Sequence, residues 1–148
     1  RLYSLEELHL GLNDWDFVDD NVESAYGSVQ SLSFNGNPIR GGVDLIRLGV
    51  LFPALRSLVV ADCPLVDLGD SGDLRDRFPY LEKLNLSNTE ICGWDELEKL
   101  KALDALVDLR LLGCRATEVR TVTDAYAYSL MTGDHGAAGV VWGTMPFS

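Results

Sequence analysis

The chain has 148 residues, of which 47% are hydrophobic, and it carries a formal net charge of −11 at pH 7. This length and apolar content are enough for a single domain with its own core. The acidic balance argues against a broad nucleic-acid-binding surface, which needs clustered lysines and arginines. The apolar segments are short and periodic, so none predicts a membrane span, which needs about 20 continuous apolar residues.

One short pattern, Leu-x-x-Leu-x-Leu-x-x-(Asn/Cys/Thr)-x-apolar, recurs five times along the chain. The successive copies are spaced by 24, 26, 26 and 25 residues, and they begin at Leu5, Val29, Leu55, Leu81 and Leu106. This interval lies within the range of leucine-rich repeats. We therefore divide the chain into a domain of about five repeats over residues 1–114 and a remaining segment over residues 115–148.

Apolar and polar residues alternate in the first half of each copy, and this is the period of a short strand with one face inward. The predicted strands cover residues 7–10, 31–34, 57–60, 83–86 and 108–111. The ninth position needs a small polar group to satisfy backbone amides where the chain leaves the strand, and it holds Asn13, Asn37, Cys63, Thr89 and Cys114. Since a single repeat cannot bury its apolar face, each copy must stack on the next. The fold prediction is an α/β leucine-rich-repeat solenoid with parallel strands on its concave face.

The connections between strands should cover the convex face with helices and irregular turns. Apolar residues at helical spacing predict helices over residues 42–52 and 93–106. A shorter helix is predicted over residues 70–78, because Pro79 follows closely behind it. Residues 16–28 are acidic and lack helical periodicity, so we expect a loop or irregular turn there.

Catalytic and metal-binding constellations are missing from the sequence. The two histidines, His9 and His135, lie far apart and have no recognisable nucleophile or carboxylate partner in sequence. The three cysteines are dispersed, with none of the Cys-x-x-Cys spacing of zinc or redox sites. We expect no enzymatic activity, no cofactor and no metal site.

The outward positions of the five strands form the predicted contact surface for a protein partner. Neighbouring parallel strands lie about 4.8 Å apart, so these positions should form adjacent columns, made of Glu7, His9, Ser31, Ser33, Ser57, Val59, Lys83, Asn85, Asp108 and Arg110. For His9, an exposed strand residue and a partner contact are both open interpretations. Lys83 and Arg110 are either ordinary surface charge or a local basic spot that binds an acidic partner.

The amino-acid sequence of the repeats resembles that of the tubulin-specific chaperone cofactor E family, and most of all that of its E-like members. The resemblance covers residues 5–113 and depends on the runs LEELHLGLND, RLGVLFPALRSLVVADCPL, RFPYLEKLNLSNTEI, GWDELEKL and LRLLG. Its most specific marks are the pairs Phe52-Pro53 and Phe78-Pro79 ahead of two repeats, and the helix start at Trp94-Asp95-Glu96.

This resemblance implies a non-enzymatic, cytoplasmic and cytoskeleton-associated chaperone-like protein of the microtubule system. Its partner would be α-tubulin or the tubulin heterodimer, whose stability or folding it would regulate, with no nucleic acid and no membrane involved. A generic leucine-rich-repeat scaffold or adaptor is the alternative. Residues 115–148 lack leucine periodicity and do not resemble the family, so we expect a divergent, poorly ordered tail.

Overall fold

The computed structural model describes residues 4–15 and 25–115, together with the backbone of residues 140–141. Its strands form one sheet in chain order, and every neighbouring pair is parallel. The strands are β1 (Glu7–His9), β2 (Ser31–Ser33), β3 (Ser57–Val59), β4 (Lys83–Asn85), β5 (Asp108–Arg110) and β6 (Val140–Val141). The described helices are α1 (Gly42–Leu51), α2 (Ser71–Arg77) and α3 (Trp94–Glu98), and α3 continues into a 3₁₀ helix, Lys99–Ala102. The predicted α/β class and parallel strand arrangement are confirmed.

The register of the sheet follows the sequence repeat. The fourth position of each copy is the Cα partner of the same position in the next copy, along the row Leu8, Leu32, Leu58, Leu84 and Leu109. Leu45 and Leu48 of α1, Leu74 of α2 and Leu97 of α3 belong to the same hydrophobic cluster as these strand leucines. The core therefore lies between the sheet and the helices, and the other face of the sheet is left for solvent or a partner.

The first two helix predictions are confirmed to within one residue. In α1, the stripe of Leu45, Leu48 and Phe52 is almost fully buried, as its spacing predicts. The residue before α1 is Gly41, which has no side chain to cap the helix. The amide of Gly42 instead donates to Asp67 Oδ1 at 2.9 Å. In α2, Asp70 supplies the N-cap because its Oδ1 accepts from the Gly72 amide at 2.8 Å.

The third helix prediction, over residues 93–106, is wrong in length and partly in type. The α-helix lasts only from Trp94 to Glu98, and the 3₁₀ helix ends at Ala102. In a 3₁₀ helix, residues three apart lie on one line. This tighter turn aligns Leu97, Leu100 and Leu103, which are all buried in the core. An α-helix would rotate successive members of that series away from one another.

The ninth position of the repeat has two kinds of hydrogen bonding. Asn37 fulfils the predicted role, because its Oδ1 accepts from the amides of Asn13 and Trp15 at 3.2 and 3.1 Å. Thr89 and Cys114 act on the opposite kind of group, since both donate to the carbonyl oxygen of Leu86 at 2.8 Å. A hydroxyl or thiol has a hydrogen to donate, so the amide-satisfying role predicted for these two positions needs correction.

A left-handed turn precedes the ninth position in all five copies. The eighth residue has a positive φ of 56–69° in each, at Leu12, Gly36, Asp62, Asn88 and Gly113. Three of these residues are not glycine, and Asp and Asn tolerate this conformation better than leucine does. The turn thus follows from the repeat geometry, and the residue type at that position does not determine it.

Two sequence predictions fall mainly outside the described residues. Most of the loop predicted over residues 16–28 is among them, and so is the predicted tail at residues 115–148, apart from Arg115 and the backbone of β6. Within the described part, no helix has the length and apolar content needed to cross a membrane.

Candidate functional site

The ten predicted contact residues lie in two rows across the sheet, on the face opposite the core. In β2, β3, β4 and β5 the middle residue is buried while its two neighbours are half-buried or exposed. The strand register places one row at Glu7, Ser31, Ser57, Lys83 and Asp108, and the other at His9, Ser33, Val59, Asn85 and Arg110. The alternation read from the sequence therefore places these side chains as expected.

A shallow depression of about 200 Å³ lies on this face over strands β3, β4 and β5. Leu58 and Leu84 contribute to its lining, and the remaining lining residues are Ser57, Val59, Lys83, Asn85, Asp108 and Arg110. All six of the latter belong to the predicted contact set. The four other predicted residues, on β1 and β2, do not line it, so the structure divides the predicted surface into two parts.

The depression is lined by two cationic side chains and one carboxylate. Arg110 Nε lies 3.8 Å from Asp108 Oδ1, which is a long contact between side chains on the same strand. Asp108 Oδ1 is itself buried and accepts no hydrogen bond from the described residues. Lys83 is the register partner of Asp108, yet it makes no ion pair with a described carboxylate. The Lys83 ammonium group is therefore available to an anionic group of a partner.

The β1 and β2 part of the face is more open and differs in charge. His9 Nε2 and Glu7 Oε1 are 3.0 Å apart, and their side chains are 72% and 65% exposed. Pairs this exposed contribute little to stability, typically below about 1 kcal/mol. On β2, the Ser33 hydroxyl donates to Asn35 Oδ1 at 2.9 Å. The exposed position predicted for His9 is confirmed, while the partner contact stays a prediction.

Three residues that the sequence analysis did not select, Arg56, Glu82 and Ser87, lie close in sequence to the predicted contact residues and bond to their surroundings. Arg56 and Glu82, one position ahead of β3 and β4, form an ion pair of 2.7 Å between the two repeats. Asn85 is held in place because its Oδ1 accepts from the Ser87 amide at 3.0 Å. Arg56 and Glu82 stand at the second position of their copies, and Ser87 stands at the seventh. In every copy these two positions precede and follow the outward residues, and this spacing could have identified them.

The described side chains hold no cluster of metal-ligating groups. No group of three His, Cys, Asp or Glu residues within residues 4–15 and 25–115 is arranged to hold a metal ion. The serine, asparagine, lysine, arginine and aspartate side chains that line the depression can form hydrogen bonds and charge pairs.

Comparison with curated proteins identifies the relatives of these repeats. A human protein named "Tubulin-specific chaperone cofactor E-like protein" is 33% identical over 114 residues, which are 76% of this chain and 27% of that relative. The rat protein of the same name is 32% identical over the same shares of both chains. This chain fits a fragment of the tubulin-specific chaperone cofactor E-like family. It spans about a quarter of the length of these E-like relatives.

Two further comparisons concern family models and solved structures. No family model matches the chain. Among solved structures, a chain from the structure of the Chaetomium Mex67:Mtr2 subunits has a TM-score of 0.52 at 19% identity, covering 82% of this chain and 86% of that one. At that identity the likeness shows a shared fold alone.

Proposed function

We propose that this chain is a leucine-rich-repeat solenoid that binds tubulin through the exposed face of its sheet. The observation that carries the proposal is the depression over β3, β4 and β5, because six of the ten residues chosen from sequence line it. The names of the E-like relatives supply the class of partner. In this role the chain regulates tubulin stability or folding without catalysing a reaction.

The solenoid architecture is supported by the repetition of one geometry along the chain. The same leucine position is in register from β1 to β5, and each neighbouring pair of strands is parallel. The connections between strands carry the helices, whose apolar residues join the same core. In an arrangement of this kind the strand face is concave and continuous, which suits contact with a protein surface.

Charge complementarity favours an acidic part of the tubulin surface as the group that enters the depression. Lys83 has no described carboxylate partner, and Arg110 has only the contact of 3.8 Å to Asp108. The chain as a whole carries a net charge of −11, so an acidic partner would be repelled everywhere except at such a local basic site.

The partner is α-tubulin or the tubulin heterodimer, and the setting is the cytoplasm and the cytoskeleton. Nucleic acid and membrane have no part in this function. A generic scaffold or adaptor role is the second candidate, favoured by the polar centre of the face at Ser31, Ser33 and Ser57, which suits many protein surfaces.

The test measures binding of the full 148-residue chain to purified αβ-tubulin. Light scattering or co-sedimentation detects the complex at two salt concentrations. The double variant Lys83→Glu and Arg110→Glu should weaken binding by about tenfold or more, since it places two acidic groups where cations were. The affinity of the original chain for tubulin should fall as the salt concentration rises, because screening weakens exposed charge pairs.

A matched control reverses Arg75 and Lys101, which lie on α2 and on the 3₁₀ helix. This control changes the net charge by the same amount as the first pair but leaves the strand face intact, so its affinity should stay near that of the original chain. Equal losses in both double variants would mean that total charge governs binding. Absence of any complex with a folded chain would leave the scaffold role as the better conclusion.

A further inference from the structure

The depression over β3, β4 and β5 has an unequal number of positive and negative groups. Its charged lining residues are Lys83, Arg110 and Asp108, which give it a formal charge of +1. Arg56, one position ahead of β3, is already paired with Glu82 at 2.7 Å, so that pair adds no net charge beside it. The depression is therefore a weakly positive site in a chain whose formal net charge is −11.

Asp108 lies next to both cations in the sheet. The strand register pairs Lys83 with Asp108 and Asn85 with Arg110, so the four residues form a block with the two cations at opposite corners. Neighbouring strands are about 4.8 Å apart, and two residues along a strand span about 6.6 Å. An anion that bridges Lys83 and Arg110 consequently lies close to the Asp108 carboxylate.

Exposure separates the roles of these charged groups. Lys83 is exposed and the Arg110 side chain is 54% exposed, whereas the Asp108 side chain is 28% exposed. The Oδ1 atom of Asp108 is buried and lies 3.8 Å from Arg110 Nε. The two cations are therefore the groups that contact a partner, and Asp108 acts on that partner through its charge.

Neutral hydrogen-bond donors complete the block. Asn85 Oδ1 accepts from the Ser87 amide at 3.0 Å, which leaves the Asn85 Nδ2 group to donate to a partner. Ser57, the register partner of Lys83, also lines the depression, and its hydroxyl can donate as well. Together with the cations, these groups can serve both oxygens of one carboxylate.

We propose that the depression binds a carboxylate side chain in preference to a phosphorylated one, and that Asp108 sets this selectivity. The assignment of that carboxylate to a protein partner rests on the function proposed above. Attraction to a positive site grows in proportion to the charge of the ligand, whereas the cost of removing its water grows with the square of that charge. A weakly positive site therefore favours the single charge of a carboxylate, and a strongly positive site favours a phosphate group, which carries about −1.5 to −2 at pH 7.

The Asp108 charge keeps the site weakly positive, and its removal doubles the formal charge of the depression. Asp108→Asn should then strengthen the binding of both kinds of anion. The gain in binding free energy is proportional to the ligand charge, so the factor gained by a dianion is the square of the factor gained by a monoanion. We expect gains of about threefold for a carboxylate peptide and about tenfold for a phosphorylated peptide.

The test titrates two short peptides into the full isotope-labelled chain and follows backbone and side-chain amide signals by NMR, which detects weak binding. The probes are acetyl-Gly-Glu-Gly-amide and acetyl-Gly-phosphoserine-Gly-amide, which differ in their anionic group. Near pH 7, the first peptide should bind the original chain more tightly and shift the Nδ2 signals of Asn85. In Asp108→Asn the second peptide should gain more affinity than the first.

A matched control removes the same charge outside the depression. Asp104 is exposed in the turn before β5 and does not line the depression, so Asp104→Asn should leave the relative affinities of the two peptides unchanged. The proposal is overturned if the phosphoserine peptide binds the original chain as tightly as the glutamate peptide, or if Asp108→Asn strengthens both peptides equally. Failure of both peptides to shift the signals of the depression overturns it as well.

These measurements contain no tubulin, so their outcome is separate from that of the proposed function. A tubulin complex together with unselective peptide binding would keep the proposed function and remove the role of Asp108. Selective peptide binding without a tubulin complex would keep the carboxylate selectivity and remove tubulin as its source.

Discussion

The first and third repeats carry the same pattern of residues, yet they differ in how that pattern is buried. Leu8 is the middle residue of β1 and Leu58 is the middle residue of β3. Both lie in the same register row of the sheet. Leu58 is 1% exposed because a repeat lies on either side of it, whereas Leu8 has a described neighbour on one side and is half-buried. The pattern thus sets the direction of a side chain, while the neighbouring repeat sets its burial and most of its contribution to stability.

The largest expected effect comes from truncating these two leucines. Leu58→Ala should reduce the free energy of unfolding by about 3 kcal/mol, since it opens a cavity in a closely packed core. Leu8→Ala should cost only about 1 kcal/mol, because part of the side chain is already in water. Urea unfolding followed by circular dichroism measures both changes. Equal losses would show that the first repeat is as well packed as the third, contrary to the burial difference.

A second pair of variants tests the contact between repeats on the helical side. A Cβ at Gly42 would lie 1.9 Å from the Gly69 nitrogen and 2.2 Å from its Cα, so backbone meets backbone between the second and third repeats. Gly42→Ala should therefore cost about 2 kcal/mol through overpacking. Gly27, between the first and second repeats, has nothing within 4 Å of an added Cβ. Gly27→Ala should leave stability unchanged or slightly raised in thermal unfolding, and a large loss there would contradict this comparison.

Most of the fold could be predicted because it depends on periodicity, which a sequence displays directly. The spacing of the leucines predicts the strands, their parallel order and the inward rows, and each of these is present in the described repeats. What the sequence did not indicate depends on local backbone geometry. The 3₁₀ helix after Glu98 and the left-handed residue at Leu12 both arise from packing within a stack of repeats, for which residue type is a poor guide.

The sequence predicts which residues lie on the exposed face of the sheet, but it does not predict the depression on that face. Alternation along a strand is enough to select the outward residues, and all ten lie on the expected face. Nothing in the alternation indicates that the face is uneven, with a depression over β3, β4 and β5 and a more open part over β1 and β2. The shape of the surface depends on side-chain conformations. It also depends on ion pairs such as that of Arg56 with Glu82, which joins two repeats 26 residues apart.

The cysteines allow the burial of the inner repeats to be measured without a mutation. Cys63 is buried at the ninth position, whereas Cys92 is exposed. Burial raises the pKa of the Cys63 thiol, and the nearby Asn37 and Gly36 backbone groups only partly offset this effect. At pH 8 a chromogenic disulfide reagent should modify Cys92 rapidly and Cys63 much more slowly, at a rate set by opening of the repeat. Equal rates would mean that the inner repeats are loosely packed.

The raised pKa of the Cys63 thiol also predicts how stability depends on pH. The folded state holds the neutral thiol, so its contribution is fully present below about pH 8.5, the ordinary pKa of the unfolded chain. As pH rises through the folded pKa, the unfolded chain has already lost its proton and that contribution disappears. The free energy of unfolding should therefore fall at alkaline pH, and by less in Cys63→Ala. An identical alkaline loss in that variant would assign the effect to other groups.

The smallest expected effect concerns a buried hydroxyl in the fourth repeat. Ser87 is 7% exposed, and its Oγ has no hydrogen-bond partner among the described residues. Removing an unpaired buried hydroxyl relieves a desolvation cost, so Ser87→Ala should leave stability unchanged or raise it by up to about 1 kcal/mol. Two residues further on, the Thr89 hydroxyl donates to the Leu86 carbonyl at 2.8 Å, and Thr89→Val should cost about 1 kcal/mol. Opposite signs for these neighbouring hydroxyls, measured by urea unfolding, would show that hydrogen bonding decides the contribution of a buried polar group in the inner repeats. A loss in both variants would mean that Ser87 has a partner, and that the inner repeats are more completely hydrogen-bonded than their described contacts indicate.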